Sequence, residues 1–175
     1  ALVTQRQLEE RPVTLEELNA HRDGVIALYR PDFRISNFEF RFVGRLKEIF
    51  GNALYLEVHR LSPTDGRVLR EALRLSRELG VPIVATNNVH FLRPEEHLHH
   101  RVLNAIRTGS LLTKVAPPDI TSAEAYFKSP AAMQRAFADH PEALRATLEI
   151  AERSNLELPL GKPIFPECTV PEGES

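Results

Sequence analysis

A parallel α/β fold, followed by a helical hairpin and an extended tail, is the architecture this sequence predicts, and three observations carry it. Between residues 24 and 109, compact apolar runs alternate with amphipathic stretches, and the connections are short. One of those runs, Val81-Pro82-Ile83-Val84-Ala85, is apolar and β-branched, which is the mark of a strand buried on both faces, and its tail Thr86-Asn87-Asn88-Val89-His90 is polar. After Gly109 the alternation stops, and prolines and helical spacing take over. Strand and helix in alternation imply parallel strands joined by right-handed crossovers, either as an open sheet or as part of a barrel. Three strands are few for a barrel of seven or eight, which points to a fragment or to pairing supplied from outside.

Taken in order, residues 1–12 are polar and predict no element. Thr14-Leu15-Glu16-Glu17 has the spacing of a capping box, so a short helix is expected to His21, with that histidine near its exposed end. Asp23-Gly24 breaks it, and Val25-Ile26-Ala27-Leu28-Tyr29 reads as a buried strand closed by Pro31. Ser36-Asn37-Phe38-Glu39 repeats the capping spacing. Phe38, Phe42, Leu46, Ile49 and Phe50 then recur at steps of three and four, an aromatic stripe expected to face the core. Ala53 to Val58 is the next strand, a turn follows around Pro63 and Asp65, and Val68, Leu69, Ala72, Leu73, Ser76 and Leu79 mark a helix ended by Gly80. Beyond the Val81 strand, Pro94-Glu95-Glu96 opens a third helix with Leu98, Val102, Leu103 and Ile106 as its apolar positions.

The connection from Leu111 to Thr121 is polar, and Ser122 to Lys128 is read as a helical turn or two. Ser129-Pro130 caps a short helix to Phe137, and His140-Pro141 opens another with Leu144, Leu148 and Ala151 on one side and Thr147 and Ile150 beside it. From Leu156 onward prolines dominate, giving an extended linker.

Composition sets limits on function. With 42% hydrophobic and 26% charged residues and a formal net charge of −2, the chain is an ordinary globular domain with no field to draw in nucleic acid across its whole surface. Cys168 is the one cysteine, which excludes an internal disulfide or a cysteine-rich zinc site and fits the cytoplasm. No apolar run is long enough to span a membrane and no signal-peptide pattern opens the chain. The sole methionine is Met133, and a start in mid-pattern reads as a piece of a longer polypeptide.

Chemistry-bearing residues are sparse. His90, after Asn87 and Asn88, ends a strand where parallel folds place their sites, either as a metal or phosphate contact or as a structural residue. A divalent site wants carboxylates and imidazoles, and a neutral asparagine carbonyl weakens it. Glu57 and His59 share one face by strand alternation, as a surface salt bridge or as a metal pair. His97, His99 and His100 lack the i, i+4 spacing of helical zinc pairs and read as surface histidines. Arg67, Arg70, Arg74 and Arg77, interleaved with Glu71 and Glu78, read as a solvated face. Asp23, Asp32, Asp65, Asp119 and Asp139 are scattered over loops, so no two-metal polymerising centre is visible. No catalytic or nucleic-acid-binding residue is assigned.

The run from Val81 to His90, continued by Phe91-Leu92-Arg93-Pro94-Glu95-Glu96, is followed by His100, Thr108-Gly109, Tyr126-Phe127-Lys128-Ser129-Pro130, Pro141-Glu142-Ala143-Leu144, Ile150-Ala151-Glu152-Arg153, Phe165-Pro166 and Val170-Pro171-Glu172-Gly173-Glu174-Ser175. In this order these segments resemble the PHP domain of bacterial DNA polymerase III alpha subunits. The Asn-Asn-Val-His form is more similar to the error-prone, translesion branch than to the main replicase, which has Asn-Asp-Val-His. The resemblance implies a partial PHP-type barrel. Residues 1–113 would be its C-terminal half, 114–156 a helical segment and 157–175 an extended linker toward the polymerase palm. His90 matches the family's last metal-binding histidine. Asn88 stands where an active site has aspartate, and Pro31 where the strand after Ile26-Ala27-Leu28 would supply a ligand cysteine. The implied role is structural and scaffolding, with a degenerate metal site and no cofactor expected. The alternative is a phosphoesterase or 3'-5' exonuclease of the PHP superfamily around His90, Glu57 and His59, with zinc, manganese or magnesium if the site is intact. A stand-alone binding module is a third reading. The implied partners are the remainder of the polymerase chain, with DNA and dNTP for the parent enzyme, a nucleotidyltransferase of replication and repair; no membrane is involved, and the fragment is expected to self-associate.

Overall fold

A computed structural model describes residues 12–31, 36–116, 120–157 and 160–161; the side chains of Ser36 and Asn37 lie outside the description. Among the described residues, besides two short 3-10 helices, there are six α-helices and three strands: α1 (Leu15–Ala20), β1 (Ala27–Tyr29), α2 (Ser36–Phe50), β2 (Leu54–Val58), α3 (Asp65–Leu79), β3 (Ile83–Ala85), α4 (His97–Arg107), α5 (Pro130–Ala136) and α6 (Pro141–Arg153). The strands form one parallel sheet in the order β1-β2-β3. Among the described residues it stays open and does not close into a barrel.

Local chemistry explains the element ends. Thr14 and Glu17 make the expected capping box at α1, each side chain accepting from the other's backbone N–H. Gly80 ends α3 at φ 62°, a left-handed turn that suits glycine. Ser129 Oγ accepts from the Ala132 N–H, 3.2 Å away, where it caps α5. The capping box expected at Ser36 and most of the extended tail expected at 157–175 fall outside the described residues, as do Asp32 and Asp119.

β2 is the spine. Leu54, Leu56 and Val58 face one side, where Val43 and Leu46 of α2 and Leu69, Ala72 and Leu75 of α3 cover them. Both crossover helices therefore lie on one face, as right-handed connections require. Tyr55 and Val84 face the other side, under Ala146 of α6, with Ile26 and Ile150 beside them. Tyr55 is fully buried, yet its hydroxyl is satisfied, donating to Glu149 Oε1 at 2.7 Å and accepting from Arg153 Nη1 at 2.7 Å.

Several expectations need correction. β1 is the outer strand and is only half-buried, Leu28 being 45% exposed. The core face of α2 is set by Val43 and Leu46, while Phe38 is exposed and stacks on Phe42 at 5.5 Å. Residues 122–128 are not helical: Phe91 and Tyr126 form a parallel bridge, so this segment runs alongside the chain leaving β3. On α6 the buried positions are Ala143 and Ala146, and Leu148 faces outward. No helix among the described residues is long and apolar enough to cross a membrane.

Candidate functional site

Parallel strands bring all their carboxyl ends to one edge. The register pairs Tyr29 with Leu56 and Val58 with Ala85, so Pro31, His59 and the Thr86–His90 tail all follow strands that finish on that side. Loops there are free to carry chemistry while the sheet holds them.

One half-buried polar group at this edge is Glu57. Thr86 Oγ1 donates to its Oε1 at 2.7 Å, and His59 Nε2 lies 3.3 Å from the same oxygen. The ring nitrogen is near enough for charge but lacks the alignment of a hydrogen bond to any group in the structure. His59 is buried, so the pair is not the surface salt bridge expected from the strand pattern. The His59 ring, the Thr86 hydroxyl and the more distant Arg30 hold the Glu57 carboxyl below the ordinary carboxylate range, against burial, which pushes it up. Beside it Arg30 Nη2 donates to Asp65 Oδ1 at 2.6 Å. Asp65 is buried and its other oxygen accepts from the N–H groups of Leu61 and Ser62, tying the loop after β2 to the start of α3. Neither Arg30 nor Asp65 stood out in the sequence; the turn residues Pro63-Thr64-Asp65 were the available signal.

The β3 tail is held differently. Asn87 Nδ2 donates to the carbonyls of Glu124 and Tyr126 at 3.1 and 2.7 Å, and its Oδ1 accepts from Lys128 Nζ at 3.2 Å. Asn87 is thus a clamp between the tail and the 122–128 segment. Asn88 follows at φ 40°, a left-handed conformation that asparagine tolerates better than most residues, with its side chain in solvent. His90 is exposed, its N–H is given to the Ala125 carbonyl, and its ring lies 5.0 Å from that of His100.

His97 and His100 are half-buried and not the free surface residues expected. His97 Nε2 contacts the Thr121 carbonyl and His100 Nε2 the Thr121 hydroxyl, each at 2.9 Å, and Phe91 packs against both rings. Burial, then the neighbouring His90 and His97, push the His100 imidazole below its ordinary value. His99 is exposed, as expected. On α3, Arg74 is held between Glu71 and Glu78, in keeping with a solvated face.

Among the described residues this edge does not assemble a set of metal ligands. Pro31, which has no side-chain donor, is fully buried after β1, and Asn88 is exposed with only a neutral amide to offer. The structure brings His90 to His100, and Glu57 to His59. Among the described residues, no three of histidine, cysteine, aspartate and glutamate are grouped to hold an ion.

No protein-family model matches the chain. It is similar to a segment of proteins named DNA polymerase III subunit alpha. It is 39% identical over 127 residues to that of Pseudomonas aeruginosa, 33% over 129 residues to that of Bacillus subtilis and 39% over 121 residues to that of Campylobacter jejuni. These matches cover 72%, 74% and 69% of this chain. The chain spans only 10 to 11% of the length of these relatives.

Proposed function

We propose that a chain so similar to one stretch of bacterial DNA polymerase III alpha subunits is itself a segment of such a subunit, and that it serves the polymerase by structure and not by chemistry. In this reading residues 1–113 are the C-terminal half of a PHP-like domain, 114–156 a helical segment and 157–175 the link toward the palm. The parent protein, a cytoplasmic nucleotidyltransferase, extends DNA from dNTPs in replication or lesion bypass. The Asn87-Asn88-Val89-His90 sequence supports the error-prone branch.

The observation that carries the scaffolding role is Pro31. At the carboxyl end of β1, where the PHP pattern has a thiolate ligand, there is a buried ring with no lone pair to give. The polar edge is instead spent on holding loops, through Asp65, Glu57 and Asn87.

Metal content after incubation with zinc or manganese, measured for the purified chain and for His90→Ala, tests this. Both are expected to retain no stoichiometric metal. Near-stoichiometric metal that is lost in His90→Ala would restore the phosphoesterase or exonuclease reading, with Asn88 as a tolerated ligand.

A further inference from the structure

Helix α4 is inside out. At 3.6 residues per turn, His97, His100, Arg101, Asn104 and Ala105 share one side, and that side faces the protein. The histidines reach Thr121, Asn104 contacts His100, and Arg101 Nη2 donates to the Leu112 carbonyl. The other side carries Leu98, Val102, Leu103 and Ile106, which are 53%, 40%, 64% and 72% exposed. A stripe of this kind normally marks the face a helix turns to the core. Leu92 before the helix and Leu111 after it are also exposed. Rolling the helix to bury the stripe would cost the bonds to Thr121 and Leu112, so the fold presents this face outward.

We propose that the outward face of α4 is the seat on which the remaining polymerase polypeptide docks, an inference that rests on the polymerase reading above. Two arguments choose this occupant over a second copy of the chain. An 11-residue helix is about 16 Å long and about 10 Å wide, so its face covers on the order of 200 Å². A stable association between free molecules needs about 800 Å² per partner. A tethered partner needs far less, because a linker supplies an effective concentration in the millimolar range. The relatives show that such a tether has a large partner to present, since this segment is only 10 to 11% of their length.

The test uses the full-length polypeptide that carries this segment. Leu103→Cys and Ile106→Cys variants are labelled with a maleimide under native conditions and in denaturant, with mass spectrometry of the peptide as readout, and the same preparations are assayed for primer extension. Native labelling is expected to be at least about tenfold slower than in denaturant, the protection of a contact that opens only by local unfolding. Equal rates with extension retained would overturn the docking and leave the polymerase reading intact. Protection that disappears on dilution would assign the face to a second copy and overturn the proposal. Protection without templated extension would overturn the polymerase reading and, with it, the identity of the occupant.

Discussion

Glu57 takes part in two contacts at once, one with Thr86 and one with His59, and its carboxyl titrates below the ordinary range because of them. Its contribution to stability is therefore complete above the usual carboxylate pKa and is lost as pH falls through the depressed value. Glu57→Gln is expected to cost about 1 kcal/mol at neutral pH, and the gap from the unaltered chain should narrow in acid; urea unfolding at both conditions measures it. Asn87 carries more bonds. Asn87→Ala frees the Glu124 and Tyr126 carbonyls together and is expected to cost about 2 kcal/mol, with faster amide exchange at Phe127, whose N–H bonds to the Phe91 carbonyl. The sequence shows Glu57 and His59 as neighbours on a strand face, and the structure keeps them so. Asn87 was legible only as one polar residue in a tail, because its partners are backbone carbonyls 37 and 39 positions away.

At the scale of the element, capping signals and apolar spacing located the six helices of the described residues, with one helical turn too many at 122–128, but not the direction each one faces. α3 turns Val68, Leu69, Ala72 and Leu75 inward as its pattern suggests. α4 has an equally regular stripe and turns it out, because polar partners at Thr121 and Leu112 hold its other side. On α6 the larger aliphatics misled for another reason: the buried positions are the small Ala143 and Ala146, and Ala146 lets the helix approach the sheet over Tyr55 and Val84. Ala146→Leu is expected to destabilise by about 2 kcal/mol through overpacking, seen as a lower urea midpoint with unchanged slope. Gly80→Ala should cost about 1 kcal/mol, since the left-handed turn at φ 62° disfavours a Cβ.

For the whole molecule, strand–helix alternation was enough to give a parallel sheet with its helices in the right order. The sheet's openness, by contrast, is a matter of strand number, and the sequence points to pairing from outside. β1 lies at the edge with Leu28 in solvent, a surface that pairs readily with another chain. Light scattering of the isolated chain is expected to show mass rising with concentration; a compact monomer throughout would argue against edge pairing. The position of α6 has a practical outcome for anyone cutting the polypeptide smaller. The chain order invites a boundary near residue 113, yet the lid over Tyr55 and Val84 arrives only with residues 141–153. A protein trimmed at that boundary would expose one side of its own sheet, so the shortest piece worth expressing runs through Arg153, whose guanidinium bonds back to Asn52 and Tyr55 at the start of the central strand.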